Sequence, residues 1–305
     1  MPLPSSRLSA ALLTCTCLTL LAGCADSPGA RSSAASSVIP VVASTNVYGD
    51  LAARIGGARV QVTSIISDPD QDPHSYEADT RNQLALSQAE VVIENGGGYD
   101  DFVDRMLKSS DSSPDVVNAV KLSGKTAPAG GELNEHVWYD LPTVARLAGR
   151  IAAVLAEADP ADAAAFTGNA KDFVRRLRPL ERTEARIRAE HGGEAVAITE
   201  PVPLYMIEAD GLRNATPEEF SEAVEEGDDV SPKILQDTLA LFTGKKVRAL
   251  VYNEQTSGPQ TEKVQRAAAA AGVPVVPVTE TLPKGKDYLG WMTANVDALA
   301  SALGA

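Results

Sequence analysis

Two hydrophobic rhythms alternate along the chain. Short apolar runs of strand character recur at Val38 to Ala43, Val60 to Ile66 and Val91 to Glu94, with a fourth at Asp115 to Val120. They return at Ala195 to Thr199, Val247 to Tyr252 and Val273 to Val278. Between them lie stretches with apolar residues every three or four positions, over 46–55, 80–89, 99–108, 260–271 and 287–303, which read as helices. Strands alternating with helices argue for mainly parallel sheets. The rhythm breaks in the middle. Val144, Leu147, Ala148, Ile151, Val154 and Leu155 form a helical stripe over Leu141 to Glu157. Asp159-Pro160-Ala161-Asp162 is then a helix start, with Asp159 as N-cap and proline in the first turn. The helix it opens runs to about Glu190, past a disturbance at Pro179, and is longer than an average helix. The fold class expected is α/β in two lobes, residues 38–158 and 191–305, each a mainly parallel sheet flanked by helices, with the 159–190 helix between them.

Local signals refine this outline. Thr216-Pro217-Glu218-Glu219 reads as a capping box opening a helix to about Glu226, and Ser231-Pro232 opens another to about Phe242. Lys121 to Glu135 carries glycine and proline and reads as loop. Gly96-Gly97-Gly98 follows a strand but lacks the spaced glycines and the lysine of phosphate loops, so it reads as a tight strand-to-helix turn.

The first 37 residues follow neither rhythm. Arg7 precedes an apolar run from Leu8 to Leu21 that is short for a membrane span, and the run ends in Leu21-Ala22-Gly23-Cys24. This resembles the lipobox of bacterial lipoproteins, which implies a signal over residues 1–23, a lipid on Cys24 and an extracytoplasmic protein anchored to the outer face of the cell membrane. Residues 24–37 are rich in Ser, Ala and Gly and read as a flexible tether. Cys15 and Cys17 lie in the removed segment, so the mature chain is expected to hold no disulfide and no cysteine metal site.

The 305 residues are 44% hydrophobic and 22% charged, an ordinary globular composition. The net charge of −14, from 27 basic and 41 acidic residues, disfavours nucleic acid and anionic lipid as partners. Removing the signal takes away only Arg7, leaving 26 basic residues against 41 acidic and a net of −15.

Candidate chemistry is confined to a few residues, because the chain has only three histidines. His74 sits in Asp72-Pro73-His74-Ser75-Tyr76-Glu77, just after a strand, where the proline turns the chain. His136 sits in Asn134-Glu135-His136-Val137-Trp138-Tyr139-Asp140. His191 ends a helix in His-Gly-Gly and reads as a cap of helix carbonyls. Glu200 and Glu280 each follow a strand directly, at the sheet edge where α/β ligands bind. Either acid alone reads as a solvated residue, so the case rests on the set.

Taken together these motifs resemble the metal-binding solute receptors of bacterial ABC importers, the zinc and manganese group, over essentially the whole mature chain. His74 matches that family's first ligand motif, and His136 in Asn-x-His-Val-Trp-x-Asp the second, with Glu135 where proline is usual. Glu200 and Glu280 fall at the third and fourth ligand positions. The resemblance implies two lobes joined by one rigid helix, and Zn2+ or Mn2+ carried in the cleft, zinc ahead of manganese. It also implies a membrane permease with its ATPase as partner, and a monomer. Two neutral imidazoles and two carboxylates would neutralise a divalent cation. Tyr76, Glu77, Trp138, Asp140, Asn253 and Glu254 are candidates to fix the imidazoles from behind. Only residues 124–135 stand where many zinc receptors carry a His-rich loop, and they contain no histidine. Two other readings are a secreted metalloenzyme, a hydrolase, and a surface adhesin on the same fold. Four protein ligands would close the open position a catalytic zinc needs, and no nucleophile elbow or Ser/His/Asp set is present.

Overall fold

The computed structural model describes residues 38–68, 76, 79–129 and 131–304. The first sheet is built from β1 (Ile39–Thr45), β2 (Val60–Ile66), β3 (Val91–Glu94) and β4 (Asp115–Asn118). With it come α1 (Asn46–Gly56), α2 (Thr80–Gln88), α3 (Asp101–Lys108), a short α4 (Ala119–Ser123) and α5 (Leu141–Ala158). The 29-residue α6 (Ala163–His191) follows. The second half comprises β5 (Ala195–Ile198), α7 (Leu204–Ala209), β6 (Arg213–Asn214), α8 (Glu218–Glu225), α9 (Pro232–Thr243), β7 (Leu250–Asn253), α10 (Pro259–Ala270), β8 (Val275–Val278) and α11 (Tyr288–Leu303).

Both sheets are four-stranded, parallel and of the same topology. The orders are β2-β1-β3-β4 and β6-β5-β7-β8. In each, the chain reverses its direction of travel beside the first strand, between β1 and β3 and between β5 and β7. Such switch points open a crevice at the carboxyl ends of the strands. The central strands β3, β5 and β7 are buried along their whole length, as sheets covered on both faces require. Pro277 lies in β8 at the edge of its sheet, where a missing N–H breaks no ladder.

One apolar core runs through both sheets. It joins Val41, Leu51 and Ile93 of the first half to Leu147 and Ile151 of α5 and to Phe166, Phe173 and Leu177 of α6. It continues into Val196, Val251 and Val276, and closes on Trp291, Val296 and Leu299 of α11. Polar ties cross between the halves as well. Asn46 exchanges two hydrogen bonds with the backbone of Leu282, 2.9 and 3.1 Å long. The Tyr139 hydroxyl donates to Thr279 O (2.7 Å), and Tyr288 donates from its hydroxyl to Trp138 O (2.7 Å) and from its N–H to Asp50 (3.0 Å). Among the described residues no helix is long and apolar enough to cross a membrane.

Three local expectations need correction. The 216–219 segment is not a capping box: Pro217 is the N-cap of α8 and makes no side-chain cap. The Thr216 hydroxyl instead bonds both the N–H and the C=O of Ile198 on β5, at 2.9 and 3.1 Å, which pins the start of α8 to the sheet. Part of the expected 121–135 loop belongs to α4, capped by the Asn118 side chain. His191 does not serve as a carbonyl cap; its Nδ1 has no hydrogen-bond partner and lies 3.4 Å from Glu194. The triple glycine is the tight turn expected. All three glycines have positive φ, and a Cβ on Gly96 would strike the Asn118 side chain at 2.2 Å.

Candidate metal centre

Strand ends deliver the acids. Glu200 follows β5 and Glu280 follows β8; they are 1% and 0% exposed. Asn253 ends β7, between them in the sheet order, and its side-chain amide reaches both carboxylates. It donates to Glu200 Oε2 at 2.5 Å and to Glu280 Oε1 at 2.9 Å, with Thr256 Oγ1 at 2.7 Å. The Gln255 side-chain oxygen accepts the backbone N–H of Glu280 and of Thr281, fixing the turn that carries Glu280. Burial first, then the Glu280 charge, push the Glu200 carboxyl up to about 7. Glu200 Oε1 accepts no hydrogen bond. A buried carboxylate oxygen without a donor is unfavourable unless a cation fills the place.

The imidazole arrives from the other half. His136 is 0% exposed and starts a single 3-10 turn, Val137–Tyr139, before Asp140 caps α5. Its Nδ1 lies 2.7 Å from Asn134 Oδ1. An amide oxygen only accepts, so Nδ1 carries the proton and Nε2 is the nitrogen that could bind a metal. Nε2 faces Glu225 Oε1 at 3.6 Å and Glu280 Oε2 at 3.8 Å. Two ligands of one tetrahedral ion with bonds near 2.1 Å stand about 3.4 Å apart, so each of these two pairs, taken singly, has a spacing a cation could bridge. Burial lowers the His136 pKa. The neighbouring Glu280 carboxylate and the charges of Glu135 and Glu225 raise it and prevail, leaving it above the ordinary histidine value. Trp138 packs its ring edge-on to the imidazole, 5.0 Å between centroids, and Tyr99 does so at 6.0 Å.

The other expected residues fall out as follows. His74, Glu77 and Cys24 lie outside the described residues. Tyr76 stacks on Phe102 and bonds Asn82. Asp140 caps α5 through Thr143 and pairs with Lys125 at 3.2 Å. Asn253 holds carboxylates, not an imidazole. Glu254 is exposed and bonds Val278 O through its backbone N–H. Three residues escaped the sequence reading: Asn134, Gln255 and Glu225. Asn134 stood in the His136 motif and went unassigned. Glu225 lies in an acidic helix, and its one signal is that it falls a turn after buried Ser221.

Glu225 also lines a cleft of about 610 Å³ walled by Glu132, Glu135, Glu218, Glu222 and Glu226. Glu135, His136 and Glu225 each place a potential ligand atom within 4.8 Å of the others.

Comparison with known proteins points the same way. Residues 41–302 match the family described as zinc-uptake complex component A, periplasmic (ZnuA). The manganese-binding lipoprotein MntA of Bacillus subtilis (strain 168) is 26% identical over 302 residues, covering 93% of this chain and 95% of that protein. The manganese ABC transporter substrate-binding lipoprotein scaA of Streptococcus gordonii is 24% identical over 301 residues, covering 93% and 94%. Among solved structures, the substrate-binding protein FpvC of Pseudomonas aeruginosa in complex with Mn2+ superposes with a TM-score of 0.70 at 23% identity, covering 87% of this chain and 97% of that one. A crystal structure of ZnuA gives 0.71 at 20% identity, covering 88% and 98%.

Proposed function

The chain belongs to the periplasmic zinc-uptake component A family, a family of substrate-binding proteins of metal ABC transporters and not of enzymes, and on that footing we propose that it captures manganese as its cargo. The ion sits in the cleft between the two sheets, held by His136, Glu200 and Glu280 and by His74 from the segment beyond the described residues. The observation that carries this reading is His136 Nε2 facing carboxylates at 3.6 and 3.8 Å, with Glu200 tied to Glu280 through Asn253.

Manganese is favoured over the zinc expected first: two of the four donors are carboxylate oxygens, which suit a harder cation than imidazole does, and residues 124–135 carry no histidine. Relatives named for manganese support the same choice. Zinc still binds tightly at such a site, by the general order of divalent affinities. Loading displaces protons from His136 and Glu200, since ligands must be deprotonated. The protein then hands its ion to a membrane permease and its ATPase. It does so as a monomer tethered outside the membrane through a lipid on Cys24. The shared core and the hydrogen bonds between the halves support small local movements on loading, not wide hinge closure.

The test is calorimetric titration of metal-free protein with Mn2+ and Zn2+. Wild type is expected to bind one ion of either, and His136→Ala to lose most affinity while keeping its circular dichroism. Full affinity in His136→Ala would remove the proposal.

A further inference from the structure

Glu225 stands apart from the ligands the motifs single out. It comes from the last turn of α8, not from a strand end, yet its Oε1 is nearer to His136 Nε2 (3.6 Å) than Glu280 Oε2 is (3.8 Å). It is placed there by construction. Thr216 ties the segment before α8 to β5, and Phe220 and Ser221 bury the face of α8 that points inward, with Glu225 one turn on from Ser221. Its side chain is 15% exposed and lines the acidic cleft, so it stands at the boundary between solvent and the buried donors. Buried on the inner side are His136 and Glu200, whose Oε1 takes no hydrogen bond.

We propose that Glu225 contacts the bound ion as an additional carboxylate ligand and biases the site toward manganese-like cations. This rests on the cargo reading above and deepens it. Zinc is satisfied by four ligands in a tetrahedron, whereas manganese takes a larger, oxygen-rich shell. An additional oxygen donor on the cleft side therefore adds more to manganese than to zinc. It also gives the loaded site three carboxylates against one divalent ion, an excess negative charge that water in the cleft beside Glu225 can solvate.

The competing account makes Glu225 only a counter-ion to a protonated imidazole. The two accounts differ in sign. A counter-ion stabilises the metal-free form, so removing it leaves metal affinity unchanged or improves it. A ligand stabilises the metal-bound form, so removing it weakens binding.

The experiment titrates Mn2+ and Zn2+ into wild type, Glu225→Gln, Glu225→Asp, Glu222→Gln and His136→Ala, with the melting temperature of each metal-free protein recorded. Glu225→Gln is expected to weaken Mn2+ at least tenfold and Zn2+ by less, raising the zinc-to-manganese preference. Glu225→Asp keeps the charge but shortens the reach, and is expected to weaken Mn2+ as well. Unchanged or improved Mn2+ binding in both Glu225 variants would overturn the proposal. So would a loss in Glu222→Gln as large as that in Glu225→Gln, which would report the acidity of the cleft in general. Equal loss of both metals would overturn the bias toward manganese. Full metal binding in His136→Ala would instead sink the cargo site itself, whatever Glu225 does.

Discussion

Asn134 Oδ1 accepts the Nδ1 proton of His136 at 2.7 Å, and the same oxygen accepts the His136 backbone N–H at 3.0 Å. One side chain thus sets both the tautomer and the direction of the imidazole. Asn134→Ala is expected to weaken metal binding roughly 10- to 100-fold, the usual range when the partner behind a ligating histidine is lost. Asn134→Asp, which keeps an acceptor, should lose far less. Competition against a fluorescent chelator distinguishes the two.

Asn253 keeps two buried carboxylates from facing each other without a donor. Asn253→Ala leaves both short of a hydrogen bond. It should lower the stability of the metal-free protein by about 1–3 kcal/mol. Metal restores part of that loss, since the cation takes over the neutralising role. Thermal melts with and without Mn2+ read both effects.

Metal binding should release protons. The His136 pKa is raised above its ordinary value and Glu200 reaches about 7, so a metal ion competes with protons at both groups. Affinity therefore falls as pH drops from 8 to 6. The calorimetric enthalpy at pH 7 should vary with the ionisation enthalpy of the buffer. An enthalpy independent of buffer would count against deprotonation of these groups on loading.

A second pair of acids governs stability away from the site. Glu184 occupies an apolar position on α6, in register with Phe166, Phe173, Leu177, Leu180 and Ile187, and burial raises it to about 7. Asp210 is 0% exposed with neither carboxyl oxygen hydrogen-bonded, and burial followed by the Glu184 charge raises it to about 8. Both bind protons more tightly folded than unfolded. The stability they contribute is full below the unfolded carboxyl range and is lost as pH climbs through 7 to 8. Asp210→Asn should flatten that decline and add about 1–3 kcal/mol at pH 8, seen in urea melts at pH 5 and pH 8.

The strands and most helices were legible because burial on both faces leaves an apolar run no other reading. β2 and β3 fall on the residues expected, Val60–Ile66 and Val91–Glu94. β6 was invisible: two residues, Arg213 and Asn214, form a strand only because β5 lies beside them. The capping box failed for a related reason. The Thr216 hydroxyl had a strand to bond as well as a helix, and a sequence motif does not register that competition. His136 stood out as a candidate because it sits inside a recognisable motif, and Glu200 and Glu280 because each follows a strand; the structure buries all three. Glu225 did not stand out, since an acid in an acidic helix reads as solvated until the helix is docked. Asn253 was expected behind an imidazole; pairing of β7 with β5 and β8 puts it behind two carboxylates instead.

The continuous core also makes the last elements part of the first half's packing. Glu280 and α11 lie within residues 280–305, and α11 packs back onto α1 of the first half and onto the connecting helix α6. The same segment carries Leu282, whose backbone bonds Asn46 at the start of α1. With the proposed ligand set, the site is complete only once residues 280–303 have packed against the first half, so the fold of that segment and the grip on the ion rise and fall together.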